Sequence, residues 1–314
     1  MKAIARKKAD LLLLAFALGG WSCTTQHQVG VLIDNMPTSF DADTVNDAEP
    51  EAPVPGDDGP GSPDDGGAGS GGGDAGSPVA HFGRIAAGQP LPSEADCAAR
   101  VRRGRSEPVP ENASFNQVMP TAAQLAKLAT WNDTRGFDNR SAPLGKRVTG
   151  NFTGTTDEIF QWAACKWGFD EDFVRADAFQ ANGWHQASVS GWTGDTTICP
   201  PNPPTRAGPM GTTECAQVFS LFGITWQFHK STWPMVHDST SFAVDYALAF
   251  QRMCFEGYIT YMNGWGPAGK KYGPNDEFGC AASFYTGGWY DYATIQQLNH
   301  IKDALTAKPW PKAQ

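Results

Sequence analysis

Residues 24–83 of this 314-residue chain hold eleven aspartates and glutamates and no lysine or arginine. Pro, Gly, Ser and Asp dominate between Pro53 and Pro78. Such a stretch has too little apolar surface to offset the entropy of ordering it. Its like charges repel, so residues 24–89 read as a flexible acidic linker rich in Gly, Pro and Asp. A packed core has to be built from residues 90–314.

That division changes the meaning of the net charge of −9. Four basic residues (Lys2, Arg6, Lys7, Lys8) and one acid (Asp10) precede the linker, which leaves 20 basic and 21 acidic residues from Arg84 onward. A folded part so close to neutral offers no basic field for nucleic acid. Arg100, Arg102, Arg103 and Arg105 cluster beside Gly104 and read as a solvated helix end.

The first 23 residues have the layout of an export signal: basic residues, the apolar run Leu11–Leu18, then Gly19-Gly20-Trp21-Ser22-Cys23. The run is too short to span a bilayer. A small residue before cysteine resembles a bacterial lipoprotein cleavage site and implies a lipid on Cys23, hence a membrane-anchored protein of the bacterial envelope, periplasmic or on the outer-membrane face. Gly20 stands where such sites usually carry Leu, and ordinary secretion with cleavage nearby is the rival reading.

Six cysteines remain: Cys97, Cys165, Cys199, Cys215, Cys254 and Cys280. An even number in an exported chain suggests three disulfides, with fifteen connectivities open. Cys199–Cys215 is the pairing expected first, closing a Pro- and Gly-rich loop for about 3 kcal/mol of chain entropy. No Cys-x2-Cys pair and no helical His pair points to a metal, and no cofactor is expected.

The folded part reads as mainly helical, one domain of six or seven helices. Ser93 opens a short helix and Pro120-Thr121 another carrying Leu125, Leu128 and Trp131; Asn132–Asn151 reads as a loop. Thr155-Thr156-Asp157-Glu158 is a capping box, followed by Ile159, Trp162, Ala163 and Lys166 at helical spacing and by Gly168 as a stop. Asp170 caps the next helix, which places Phe173, Val174, Asp177, Ala178 and Ala181 on one face before Asn182-Gly183 ends it. Asp238-Ser239-Thr240 starts the longest helix, through about Met262, with further helices over Asp276–Tyr285 and Tyr292–Ala307. Strand content is minimal: short ribbons near Arg147–Phe152 and Phe219–Gln227. Ten tryptophans lie between Trp131 and Trp310, and Trp184, Trp192, Trp226, Trp233, Trp265 and Trp289 fall in expected loops. Trp162 and Trp167 read as core, while flat rings in loops suit stacking on sugar faces.

Four blocks resemble the transglycosylase SLT family of lysozyme-like lytic transglycosylases. They are Thr155–Gly168; Arg175–Gln186; Phe222-Gly223-Ile224-Thr225-Trp226-Gln227-Phe228-His229; and Gly279–Trp289, including Tyr285 and Gly287-Gly288. The resemblance implies a lysozyme-like α+β fold and peptidoglycan glycan strands as the partner of a monomer. In that family one Glu at a helix end protonates the bond between N-acetylmuramic acid and N-acetylglucosamine, and the muramic 6-hydroxyl then closes a 1,6-anhydro ring. One carboxyl serves because the substrate's N-acetyl group assists, unlike two-carboxylate glycosidases.

Two departures bear on activity. The Glu position is Ala181 and the Ser after it is Asn182; alanine cannot transfer a proton. The Gly223-Ile224-Thr225 segment runs directly into Trp226-Gln227, as if about three residues were deleted. Substitute acids are Asp177, one turn before Ala181, with Asp195 and Glu214 flanking the irregular loop; Glu158 is consumed by its capping box, and His185 reads as a surface loop histidine. Candidate sugar contacts are Asn182, Trp184, Trp192, Trp226, Gln227, Tyr285 and Trp289. Three functions follow: a non-cleaving peptidoglycan-binding protein, an active transglycosylase or muramidase with a relocated acid, or a non-enzymatic envelope interaction protein.

Overall fold

Capping chemistry sets most helix boundaries in the computed structural model, which describes residues 81–128, 137–264 and 270–311. The export-signal segment with Cys23, residues 24–80 of the linker, Trp131 and Trp265 lie outside the described residues. The described part is mainly helical and belongs to one unit. Ser93 accepts the Asp96 amide to start α1 (Glu94–Arg100). Thr121 and Gln124 form a capping box on α2 (Ala122–Leu125), and α3 spans Ser141–Gly145. Thr155 and Glu158 form the expected box on α4 (Thr156–Trp167), which Gly168 ends. Asp170 accepts the amides of Asp172 and Phe173 at the head of α5 (Glu171–Asn182), and left-handed Gly183 closes it. Then come α6 (Met235–Asp238), α7 (Thr240–Phe255, capped by Ser239), α8 (Glu277–Thr286, capped by Asp276) and α9 (Tyr292–Ala307, capped by Asp291).

Between α5 and α6 the chain forms five short strands. β1 (Val189–Ser190), β4 (Val218–Phe219) and β5 (Ile224–Thr225) make an antiparallel sheet in the order β1-β4-β5, with Phe219 opposite both Val189 and Ile224. β2 (Thr205–Ala207) and β3 (Thr213–Cys215) form a separate hairpin.

Several expectations are corrected. The six or seven helices become nine among the described residues, because α3, inside the expected loop, and the four-residue α6 also wind up. The ribbon near Arg147–Phe152 does not form; instead the amides of Thr149 and Gly150 point at the Asp245 carboxylate. The ribbon at Phe219–Gln227 is β4 and β5. The α7 helix stops at Phe255 rather than near Met262, because Gly257 turns left-handed and Tyr258 N donates back to Met253 O.

The core lies between α4 and α7, with α1 and α5 against α4 and α9 spanning α5 and α8. Ile159, Phe160, Trp162 and Trp167 of α4 and Phe242, Val244 and Leu248 of α7 are fully buried. Each large apolar side chain so placed contributes roughly 1.5–3 kcal/mol relative to exposure. Three disulfides staple the layers: Cys97–Cys165 joins α1 to α4, Cys254–Cys280 joins α7 to α8, and the expected Cys199–Cys215 closes the loop holding β2 and β3. At the centre Lys166, 1% exposed, pairs with Asp245, 0% exposed, at 2.8 Å.

Gly168 joins the α4 cap to the packing. Its φ is +66°, and a Cβ there would lie 2.8 Å from Ile85 Cβ and 2.9 Å from Leu91 Cδ2. Gly168→Ala is therefore expected to destabilise the fold by about 1–3 kcal/mol, through both the left-handed backbone and the clash. Urea unfolding checks this; a loss within about 0.5 kcal/mol, the range of an ordinary surface change, would show that the segment carrying Ile85 yields freely.

Candidate functional site

Three separated sequence blocks meet at the C-terminal end of α5. Asn182, the last residue of the helix, donates from Nδ2 to the carbonyl of Ser220 at 2.7 Å. Ser220 starts the turn between β4 and β5, and Gly223 N donates back to the same carbonyl at 3.1 Å. Gly223 has φ +58°, and a Cβ built there would lie 3.5 Å from Asn182 Nδ2 and 3.9 Å from the Tyr285 ring. Those are ordinary contact distances, so it is the left-handed backbone of the turn, and not lack of room, that favours glycine at 223. Ala181, Asn182, Gly223 and Tyr285 are all partly exposed, so the junction reaches the surface.

Beneath it lies Asp177, one turn back along α5 and 0% exposed. Tyr285 Oη donates to one carboxyl oxygen at 3.0 Å, and Gln251 Nε2 of α7 donates to the other at 2.7 Å. Burial raises the Asp177 pKa from 3.8 to about 7, against the downward pull of those two hydrogen bonds. Burial, with the Asp177 carboxyl beside it, pushes the Tyr285 hydroxyl well above its usual value. The group under Ala181 thus titrates near neutrality, yet it is closed off from solvent and both of its oxygens are engaged.

The other substitute acids are held elsewhere. Asp195 accepts the amide and hydroxyl of Thr197 as the cap of a 3-10 turn, and those bonds hold its pKa below the usual range. A carboxylate so held is a poor proton donor. Glu214 on β3 is paired with Arg206 on β2 at 2.8 Å. Glu158 serves its capping box and also takes Arg103 and the Gly104 amide. His185 is exposed and bonded to Glu111 at 2.5 Å.

The tryptophans divide sharply. Trp184 and Trp289, expected as sugar contacts, are corrected to core residues at 0% and 1% exposure. Trp184 follows the left-handed Gly183 and is itself left-handed at φ 72°, which folds its ring back under α5. Its Nε1 donates to Arg175 O at 2.9 Å, and its ring packs edge-on against Phe160 and stacks with Trp310. Trp289 packs between Tyr272 and Tyr290. Trp192 stays partly exposed with the Arg206 guanidinium 4.7 Å above its ring, and Trp226 is partly exposed under Lys230 at 5.0 Å. Gln227 is exposed, and so is Phe228 at 61%.

Sequence reasoning did not single out Gln251, Ser220 or Phe228. The first two act on partners 74 and 38 residues away, which no local spacing reveals. The large exposed apolar ring at Phe228 is visible only once burial is known. The arginine cluster stands at the end of α1 with Arg100, Arg103 and Arg105 exposed; Arg103 also lies on the Phe152 ring and reaches Glu158, while Arg100 and Arg102 cover Phe82. Among the described residues, His81, Glu171 and Asp172 bring ligand atoms within 4.8 Å of one another. Arg102 and Arg175 already hold the Glu171 carboxylate, and two guanidiniums oppose a dication there. No helix among the described residues is long and apolar enough to cross a membrane.

The chain matches no family model, no curated protein and no solved structure.

Proposed function

We propose that this chain is an exported, lipid-anchored envelope protein whose lysozyme-like domain, resembling the transglycosylase SLT family, binds peptidoglycan glycan strands without cutting them. The observation that carries the reading is the junction at the end of α5. The blocks Arg175–Gln186, Phe222–His229 and Gly279–Trp289 are related in sequence only by resemblance, yet Asn182, Gly223 and Tyr285 lie side by side there, and Tyr285 bonds Asp177 of the first block. The fourth block forms α4, packed directly behind α5. At the point where the resemblance calls for a carboxyl, Ala181 presents a methyl group. Partly exposed Trp226 and exposed Gln227 and Phe228 supply ring faces and an amide next to the junction. A lipid on Cys23 and the acidic linker would let a monomer reach the wall from the membrane.

Asp177 favours a second reading, cleavage by a relocated acid, because its pKa sits near 7. Against it, the carboxyl is 0% exposed and Tyr285 stands over it with a hydrogen bond. A general acid must come within hydrogen-bond reach of the glycosidic oxygen.

Binding is tested by cosedimentation of the purified chain with insoluble peptidoglycan. The parent chain is expected to pellet with the polymer. Trp226→Ala is expected to weaken retention roughly tenfold, the loss of one well-placed aromatic anchor. A parent chain that stays in solution would remove the glycan reading and leave a protein-directed envelope role.

A further inference from the structure

A cavity of 530 Å³ opens at the opposite, N-terminal end of α5. The helix has 12 residues, so the two ends lie roughly 16 Å apart. Five stretches wall the cavity: His81; Arg102 and Arg105 after α1; Asp157 at the head of α4; the first two turns of α5; and Lys308 with Trp310 after α9.

The charge pattern of the wall is unusually complete. Arg175, 6% exposed, is clamped by Asp157 at 2.7 Å, Glu171 at 3.1 Å and Asp172 at 2.7 Å. Glu171 also takes Arg102 and His81, and Asp172 takes Lys308 at 2.5 Å. Every carboxylate on the wall therefore has a cationic partner. Arg105 has none among the described residues: it is exposed, lines the cavity and holds no ion pair. Four permanent cations face three carboxylates.

We propose that this cavity binds the free carboxylate end of a short peptide, with Arg105 as the open guanidinium that receives it. A planar guanidinium takes a carboxylate through two parallel hydrogen bonds. The Arg175 clamp already fixes the floor of the cavity, so the ordering required on binding is confined to Arg105 and Lys308. The three wall carboxylates penalise a multiply charged phosphate, whereas they suit a zwitterion whose ammonium lies toward Asp172, where Lys308 is exposed and displaceable. The volume is in the range of small-ligand sites. The assignment stands on these residues and is independent of the glycan reading.

The test is calorimetric titration of the full chain with triglycine, triglycinamide and inorganic phosphate. Triglycine is expected to bind saturably, and the amide, lacking the carboxylate, at least about tenfold more weakly. Arg105→Ala should weaken triglycine by a similar factor of about ten, with Arg105→Lys in between because the charge stays and the fork is lost. Equal binding of acid and amide, tighter binding of phosphate, an unaffected Arg105→Ala, or no heat from triglycine at millimolar concentration would each overturn the proposal.

Discussion

Asp177→Asn should gain stability relative to the parent chain as the pH rises from about 4 to about 7, by roughly 4 kcal/mol in all. The sign follows from linkage. The folded pKa of Asp177 is about 7 and its ordinary value is 3.8. Below pH 4 both folded and unfolded states carry the proton, so the group costs nothing. Between 4 and 7 the unfolded carboxyl has ionised while the folded one still holds its proton, and folding is penalised progressively. Asparagine keeps the size of the site and cannot ionise, so it escapes that penalty. Burial of His229 acts in the opposite sense: its pKa falls from 6.5 to about 4, and its contribution is lost as the pH drops through that window. The parent curve alone would show the two effects partly cancelling. The difference between parent and Asp177→Asn isolates one of them. Urea unfolding of both at pH 4 and pH 7 measures it, and parallel stabilities at the two values would mean that Asp177 is solvated and ionises normally.

Asp245→Ala should cost about 3–5 kcal/mol at neutral pH, the scale of breaking a buried ion pair from one side. Asp245 is 0% exposed and accepts four donors: Lys166 Nζ at 2.8 Å, Trp167 Nε1 at 2.7 Å, and the amides of Thr149 and Gly150 at 2.8 and 2.9 Å. Removing it leaves Lys166 at 1% exposure with Glu94 as its remaining carboxylate. It also strands three N–H groups, each costing about 1–3 kcal/mol when unsatisfied. Asp245→Asn keeps an acceptor and should cost less. The consequence for the site is indirect: Asp245 lies on α7, the helix that also supplies Gln251 to Asp177, so loosening the α4–α7 contact loosens the floor beneath Ala181. Denaturant unfolding checks the prediction. A loss below about 1 kcal/mol would show that the ion pair contributes nothing over its desolvation cost.

These two residues also mark the limit of what local sequence can reveal. Helix ends were legible because their chemistry is local: Thr155 and Glu158 are three residues apart, Asp170 directly precedes α5, and Gly168 and Gly183 take the left-handed turn that follows. Cys199 and Cys215 are 16 residues apart and their pairing could be anticipated; the other two bridges, spanning 68 and 26 residues, could not be chosen from fifteen arrangements. The role of Asp245 depends on partners 78 to 96 residues away, and that of Asp177 on partners 74 and 108 away. Trp184 misled because an aromatic residue after Asn-Gly reads as an exposed loop, whereas its own left-handed backbone folds the ring inward. The ribbon of β4 and β5 was legible, but β1, β2 and β3 escaped notice because none exceeds three residues, too short for alternation to show.

The central claim is that the end of α5 is a glycan-cutting frame without its acid. Chromatography of the soluble material released from purified peptidoglycan tests it most directly, run on the parent chain and on Ala181→Glu. The parent is expected to release nothing, and Ala181→Glu to release 1,6-anhydromuropeptides. Products from the parent chain would contradict the non-cleaving reading, and their loss in Asp177→Asn would name the acid responsible. Silence from both chains would contradict the frame itself.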